Sequence, residues 1–330
     1  MKKRTILTVL LSLLIILSLL SGCNDAHASG SSEVPASSQP SVLASAVSDA
    51  PTLTMDKASE ANTVAHLLKT YKTIIYAQLD YIGGNTTHIT FFTDKSGKLC
   101  STGDSSGYTD YRTDYFDFYH REPGESVYSL SAMEGTNVSD YLLGVPNGAF
   151  TSQATDVRGN LVCVAQADIS QDYADQLSDF WPVTTEDKMV TTTVFAPDDF
   201  RALSIDFTIR RPDGSESKIA SGVLLYNQEV VYTDAVQGYL DAKKVTVSIQ
   251  MEDGGTRTAE IPRGETFSWS CDDGYTLYLD KDSKTLLPKQ PEPVQEDLTL
   301  YCLPKPVLTY IHLLCVVPVS YSLINYDKLR

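Results

Sequence analysis

The chain has 330 residues, of which 42% are hydrophobic and 21% charged, so it is long enough for about two globular domains and is not disordered throughout. It contains 26 basic and 42 acidic residues, and its only charges before Cys23 are Lys2, Lys3 and Arg4. The chain from Cys23 onward therefore has 23 basic and 42 acidic residues, a net charge of −19. A chain this acidic repels phosphate backbones, which excludes nucleic acid as a partner.

The first 22 residues have the composition of a secretory signal. Three basic residues precede an uncharged apolar run, 5–20, which is short for a membrane-spanning helix. The run ends in Leu20-Ser21-Gly22-Cys23, which resembles the lipobox of bacterial lipoproteins. The resemblance implies that residues 1–22 are removed and that a diacylglyceryl group is attached to the sulfur of Cys23. The alternative is an uncleaved anchor with an incidental cysteine.

The segment that follows Cys23 predicts a disordered tether over residues 23–59. Residues 24–60 contain no aromatic side chain and are rich in Ser and Ala, so they bury too little apolar surface to fold. A flexible tether of this length reaches about 30–35 Å, well beyond the Debye length of about 8 Å at physiological salt. We therefore expect a protein that is lipid-anchored to the cell membrane on its extracytoplasmic side, with its acidic domains held away from anionic lipid.

Ordered structure is predicted from about residue 60. Val64, Leu67, Leu68 and Tyr71 recur at helical spacing and predict a helix over 60–74. A second helix is predicted over 168–181, and a short helical piece over 140–143. Alternating hydrophobic residues between turn residues predict strands at 76–82, 87–93, 108–120, 126–131, 161–167, 189–195, 203–210 and 218–226.

The short connections between these strands favour antiparallel pairing of each strand with its sequence neighbour. The expected class is therefore α+β, built on an antiparallel meander sheet. Along the predicted strand 108–120, strict alternation places Tyr111, Tyr115 and Tyr119 on one face and Phe116 and Phe118 on the other.

A predicted hairpin runs from Val194-Phe195-Ala196-Pro197-Asp198-Asp199-Phe200 through Ile205-Asp206-Phe207-Thr208 to Pro212-Asp213-Gly214, and Tyr226-Asn227 and Val230-Val231-Tyr232 follow it. Through these segments, residues 60–242 resemble the periplasmic lipoprotein-carrier, or outer-membrane lipoprotein-sorting, superfamily. In that superfamily, this order of elements forms a half-barrel-like sheet with covering helices. The resemblance implies a half-open antiparallel barrel that holds acyl chains against covering helices. An unrelated β-meander is the alternative.

Residues 243–303 predict a separate small domain. Val245–Met251 and Thr256–Ile261 alternate around a Gly254-Gly255 turn, and Gly274–Tyr278 and Asp297–Tyr301 supply two further strands. Over 244–303 this pattern resembles the β-grasp repeat of internalin-type bacterial surface proteins, although the usual Gly-Trp is missing. The resemblance implies a spacer or an adhesion module.

Residues 304–330 form an atypical apolar tail. The stretch 307–325 has no formal charge except that of His312, yet it contains too many polar residues to be assigned as a membrane span. Two interpretations of these residues remain open: a tail after the last strand, or a weak second membrane anchor.

The motifs of common enzyme classes are missing, so neither a catalytic site nor a cofactor is expected. Ser215 and Lys218 fit Ser-x-x-Lys, but they lead from a turn into a strand, where residues three apart point to opposite faces. No metal site is expected either, because the histidines lack ligand spacing and Asp280–Lys284 lacks the glycine and glutamate of a calcium loop. Paired-carboxylate catalysis is not supported, because strand parity separates Asp117 from Asp110 and Asp114.

Beyond Cys23 there are five cysteines, an odd number that leaves at least one free: Cys100, Cys163, Cys271, Cys302 and Cys315. Cys271 and Cys302 fall in the same predicted domain, and either a disulfide between them or buried free thiols fit the sequence. The 19 tyrosines exceed the 10 phenylalanines, which suits binding surfaces and exposed sheet faces alike.

The sequence as a whole predicts a membrane-anchored, extracytoplasmic lipoprotein that is not an enzyme. Its expected partners are the membrane, through the lipid on Cys23, and a hydrophobic ligand, a lipoprotein or a protein bound on a concave antiparallel sheet. The alternative is a cell-surface interaction or adhesion protein that uses the β-grasp unit.

Overall fold

The computed structural model describes residues 52–105, 108–121, 125–133, 137–146, 148–178, 182–289 and 292–305. The signal, Cys23, most of the tether and all but the first two residues of the apolar tail therefore lie outside the described residues. The described part has four α-helices: α1 Met55–Ala61, α2 Val64–Thr70, α3 Gln171–Ser178 and α4 Asp234–Asp241. The strands are β1 Thr73–Asp80, β2 Thr86–Thr93, β3 Leu99–Ser105, β4 Tyr108–Thr113, β5 Phe116–Arg121, β6 Ser126–Ser131, β7 Phe150–Thr155, β8 Leu161–Asp168, β9 Lys188–Phe195, β10 Ala202–Arg210, β11 Glu216–Tyr226, β12 Lys244–Met251, β13 Thr256–Pro262, β14 Ser268–Ser270, β15 Tyr275–Tyr278 and β16 Leu298–Pro304.

The predicted α+β class with a large antiparallel sheet is confirmed. Twelve strands form one sheet in the order β14-β6-β5-β4-β3-β2-β1-β11-β10-β9-β8-β7. Strands β1 to β6 pair with their sequence neighbours, as do β7 to β11, and each of these pairs is antiparallel. The two runs are joined by antiparallel pairing of β1 with β11, from Ile74 opposite Tyr226 to Asp80 opposite Ala220.

Four strands form a second, smaller sheet in the order β13-β12-β16-β15. Its central pair, β12 and β16, is parallel, and the two outer pairs are antiparallel. The short strand β14 belongs to the same stretch of chain but pairs in parallel with β6, with Trp269 opposite Leu130. The C-terminal stretch therefore contributes strands to both sheets.

The N-terminal helix predicted over 60–74 is two short helices that begin earlier and end sooner. Thr54 caps α1 by accepting the Lys57 N–H, and Thr63 caps α2 by accepting the His66 N–H at 3.2 Å. Val64 and Leu67 are buried as the spacing predicted. The helix cannot reach residue 74 because the backbone is already extended at Tyr71, two residues before β1 begins.

The predicted single strand 108–120 is wrong, because a tight turn divides it into β4 and β5. Tyr115 lies in this turn with φ of 65°, a left-handed conformation that interrupts the alternation. Tyr111 consequently faces the same side as Phe118, its partner across the two strands, and Tyr119 faces the other side. The expected separation of Tyr111 from Phe116 and Phe118 is therefore also wrong.

The large sheet buries opposite faces in its two halves. Phe91 and Phe92 on β2 are 3% and 4% exposed, and successive strand residues point to opposite faces. Phe91 belongs to a core that lies between helices α1 to α3 and one face of strands β1 and β8 to β11. We name it the helix-covered core, and its members include Leu53, Val64, Ile74, Leu161, Ile169, Ile205 and Ile209. Phe92 belongs to a core shared by β3–β6, α4 and the small sheet, which we name the junction core: Tyr111, Phe116, Phe118, Tyr128, Tyr239, Val247 and Leu300.

None of the helices in the described ranges is long and apolar enough to cross a membrane.

Candidate binding surface

The change of buried face leaves the other side of β1 and β11 without a covering helix among the described residues. Three aliphatic side chains there, Leu79, Val223 and Leu225, are 38%, 47% and 44% exposed. Strand register places Leu225 opposite Ile75 and Val223 opposite Ala77. We name these five residues the aliphatic surface. Single exposed aliphatic residues are common, but a contiguous group at the centre of a sheet indicates an interaction site.

The sequence of these strands accounts for the surface. In β1, the residues facing the helices are buried, and the intervening Ile75, Ala77 and Leu79 on the other face are apolar. In β11, Val223, Leu224 and Leu225 are consecutive apolar residues. Strands with side chains buried on one face and apolar on the other are typical of sheets covered on both faces. The described residues supply a cover for only one of them.

Polar residues border the aliphatic surface on the same face of the sheet. Lys218 Nζ lies 2.8 Å from Asp206 Oδ1, and next to this pair Arg210 Nε lies 2.7 Å from Glu216 Oε1. Tyr81 OH and Ser221 Oγ share a hydrogen bond of 3.1 Å.

On the β2 side, the border of the aliphatic surface is formed by Thr90 and His88, which are paired with Ile75 and Ala77. An apolar centre inside a polar rim is the arrangement of a protein–protein interface.

On the opposite, helix-covered side, β1 carries a buried row of polar groups. Tyr76, Gln78 and Asp80 are 5%, 2% and 3% exposed, and Tyr76 OH donates a hydrogen bond of 2.7 Å to Gln78 Oε1. Gly222 makes room for the Tyr76 ring, because a Cβ at that position would lie 2.5 Å from it. Burial, and then the charge of Asp80, raise the pKa of Tyr173 to about 12, so this phenol stays neutral above the sheet.

The structure gives local roles to several residues singled out in the sequence. Cys23, the predicted lipid-attachment residue, lies outside the described residues. Lys218 pairs with Asp206, and the Ser215 N–H donates to Asp213 in the preceding turn. The Asp280 carboxylate accepts the backbone N–H groups of Asp282, Lys284 and Thr285, which lower its pKa and organise a turn.

The expected separation of Asp117 from Asp110 is wrong, because the turn at Tyr115 changes the face on which Asp117 lies. Asp110 and Asp117 share one face with Arg112, whose Nε lies 3.0 Å from Asp117 Oδ1. Burial raises the pKa of Asp117, and the charge of Arg112 opposes that rise. Asp114 Oδ1 instead accepts the Val138 N–H at 2.8 Å. Asp117 and Asp114 therefore serve an ion pair and a loop attachment.

The cysteines of the described part are free thiols. Cys100 and Cys163 are buried, and burial raises the pKa of each to about 11. Cys271 Sγ and Cys302 Sγ lie 3.5 Å apart. Within the described ranges, no group of three or more His, Cys, Asp or Glu residues is placed to hold a metal ion.

Many tyrosines belong to the junction core. Tyr239 of α4 packs on Phe118, Phe116 and Tyr111 with ring centroids 5.0, 5.7 and 5.3 Å away. Tyr128 packs on Phe118 at 5.2 Å. These tyrosines bury their rings, so the tyrosine excess marks a core as well as exposed strand faces. The sequence signal for α4 was weak, and its role in this core was not predicted.

Comparison with known proteins adds no relative: no family model matches the chain, and no curated protein is similar to it in sequence.

Proposed function

We propose that this chain is a lipid-anchored binding protein on the extracytoplasmic side of a cell membrane, that it is not an enzyme, and that it holds a protein partner on the aliphatic surface. The single observation that carries the binding proposal is that Ile75, Ala77, Leu79, Val223 and Leu225 form an apolar group on the face of β1 and β11 that no helix of the described residues covers. Covering Leu79, Val223 and Leu225 with a partner removes that apolar area from water, which favours association.

A protein fits this surface better than an acyl chain does. The charges at its border form pairs of opposite sign, Asp206 with Lys218 and Glu216 with Arg210. The rim is therefore polar, but these pairs add no net charge to it. A carrier-type acyl ligand would lie between the sheet and its helices. There Ile74 and Ile205 are already fully buried, and Gln78 is a buried polar group. An acyl chain would have to displace packed side chains from that layer.

The finer architecture is part of the proposal. The antiparallel strands β1–β11 with helices α1 to α3 on one face support a half-barrel-like, carrier-type domain over 60–242. The order β13-β12-β16-β15, with its parallel central pair, supports a β-grasp domain over 243–303. In this arrangement the β-grasp unit extends the carrier-like sheet through β14.

The lipid anchor rests on the signal sequence and is tested by replacing its cysteine. Wild-type protein expressed in a bacterium that processes lipoproteins should incorporate a labelled fatty acid, and Cys23→Ser should not. Cys315→Ser is the matched control, because it removes another cysteine outside the described residues. Labelling that persists in Cys23→Ser would show that the lipobox assignment is wrong.

The binding surface is tested by placing a charge in its centre. Val223→Asp puts a carboxylate on the aliphatic surface, and Val157→Asp puts the same group on a fully exposed turn. Protein partners cross-linked to the wild type in intact cells should be retained with Val157→Asp and reduced at least about tenfold with Val223→Asp, as expected for a charge in an apolar interface.

Equal recovery of partners with the two variants would contradict the proposal. Native mass spectrometry of the purified wild type distinguishes the carrier alternative. A bound lipid, together with partner recovery that Val223→Asp leaves unchanged, would assign the function to the layer beneath the helices instead.

A further inference from the structure

Two cysteines from different elements lie side by side where the small sheet joins the large one. Cys271 follows β14, the strand that pairs with β6, and Cys302 lies on β16. The Cys302 thiol donates a weak hydrogen bond of 3.5 Å to Cys271 Sγ, and the two sulfurs are not covalently linked, since a disulfide needs an S–S distance of about 2.05 Å. The other thiols of the described part, Cys100 and Cys163, lie on β3 and β8.

The position of the pair links the two sheets. The carbonyl of Ser270, immediately before Cys271, accepts the Ala132 N–H at 3.0 Å at the end of β6. Cys302 lies inside the small sheet, opposite Met251 on one side and Leu277 on the other. A covalent bond between these two sulfurs would therefore fasten the strand that extends the large sheet to the centre of the small sheet.

We propose that Cys271 and Cys302 are an oxidation site, at which a small-molecule disulfide converts the two thiols into an intramolecular disulfide that locks β14 to the small sheet. Cys271 is half-buried and Cys302 is 2% exposed, so Cys271 is the thiol that an external disulfide reaches first. The proposal is independent of the partner that the aliphatic surface binds.

The reaction is thiol–disulfide exchange in two steps. The deprotonated sulfur of Cys271 attacks one sulfur of glutathione disulfide, which breaks that S–S bond and releases one glutathione thiolate. The deprotonated sulfur of Cys302 then attacks the Cys271 sulfur of the mixed disulfide and releases the second glutathione thiolate. The two thiol protons pass to the two thiolates, so the protein loses two electrons and glutathione disulfide is reduced to two glutathione molecules.

Burial slows the reaction of the two thiols. It raises the pKa of Cys271 to about 12, with further contributions from the contact with Cys302 and from the charge of Asp272. Burial also raises the pKa of Cys302. Both thiols are therefore protonated at neutral pH, so the first attack is slow and the oxidation needs an extended incubation. Once formed, the link closes a loop between positions 31 apart in sequence and restricts the unfolded chain.

The test uses the full-length chain in detergent, incubated with glutathione disulfide and digested with trypsin without reduction. Peptide 264–281 contains Cys271 alone, but Cys302 and Cys315 share one peptide because Lys305 precedes Pro306 and is not cleaved. The parent protein is therefore Cys315→Ser. Its digest should contain the two peptides linked, with the loss of two hydrogens, and the link should be missing when Cys302→Ser is added.

The oxidised Cys315→Ser protein should also melt a few degrees higher than the reduced form, with reversal by dithiothreitol, and its amides at 268–271 should exchange hydrogen more slowly. A stable glutathione adduct on Cys271 would overturn the proposal, because it would show that Cys302 cannot reach the mixed disulfide. Linkage of Cys271 to Cys100 or Cys163, or identical melting of the two forms, would also overturn it.

Discussion

Replacing Tyr239 should weaken the attachment between the two sheets. Tyr239 is 6% exposed, and it packs against Tyr111, Phe116 and Phe118 of the large sheet. Its OH donates a hydrogen bond of 2.8 Å to the carbonyl of Glu260 on β13 of the small sheet. One side chain on α4 therefore contacts both sheets, and its ring and its hydroxyl can be removed separately.

Removing the hydroxyl alone and removing the whole side chain should differ several-fold in their effect on the free energy of unfolding. Tyr239→Phe keeps the ring and loses one hydrogen bond, which costs about 1 kcal/mol in free energy of unfolding. Tyr239→Ala also leaves a cavity among packed rings, and buried aromatic-to-alanine changes cost about 3–5 kcal/mol. Tyr81→Ala is the matched control, since Tyr81 is 46% exposed, and it should cost about 0.5 kcal/mol or less.

Urea unfolding followed by tryptophan fluorescence suits this comparison, because Trp269 lies on β14 and its ring centroid is 5.7 Å from that of Phe267 in the junction core. The expected order of midpoints is wild type, then Tyr239→Phe, then Tyr239→Ala well below both. If Tyr239→Ala unfolded at the same urea concentration as Tyr81→Ala, the rings around Tyr239 would not be a core, and the packing of α4 between the sheets would be wrong.

Two further predictions concern the helix-covered half. Gly144→Ala should lower the free energy of unfolding by about 2–4 kcal/mol, because φ is +70° and the new Cβ would lie 2.4 Å from that of Ala202. Gly159→Ala is the control: φ is +86° there but the site is open, so the loss should be about 1 kcal/mol. Equal urea midpoints for the two variants would contradict this. Partial burial raises the pKa of Asp199, but hydrogen bonds from Tyr71 and Arg201 outweigh it and lower the pKa, so the native state binds this proton less tightly than the unfolded chain. The Tm advantage of wild type over Asp199→Asn should therefore be complete above about pH 5 and disappear as the pH falls towards 2, and a constant difference would exclude the linkage.

Local patterns in the sequence predicted most strands but not their long-range arrangement. Turn residues and alternation gave β6 at its observed bounds and β8 to β11 within one or two residues. The pairing of β1 with β11 joins segments that no turn connects, so no local signal could reveal it. Strands β3 and β7 and helix α4 were missed because their hydrophobic patterns are weak.

The turn at Tyr115 shows how one residue can reverse an inference about a site. Strict alternation through 108–120 separated Asp110 from Asp117 and Tyr111 from Phe118, and both separations are wrong. A tyrosine at φ of 65° is a rare conformation that sequence patterns do not signal. The aliphatic surface was hidden for a related reason, since Leu79 and Val223 look like core residues until the sheet shows which face is covered.

Cysteine labelling in intact cells measures whether a partner covers the aliphatic surface outside the cytoplasm. Val223→Cys and Val157→Cys lie on tryptic peptides without native cysteines, so their reaction with a membrane-impermeant maleimide can be measured separately by mass. In purified protein both positions should react, since Val223 is 47% and Val157 fully exposed. In intact cells Val157→Cys should still react and Val223→Cys should be protected. Equal labelling of both in cells would show that no partner covers the aliphatic surface, and labelling of neither would place the domains on the wrong side of the membrane.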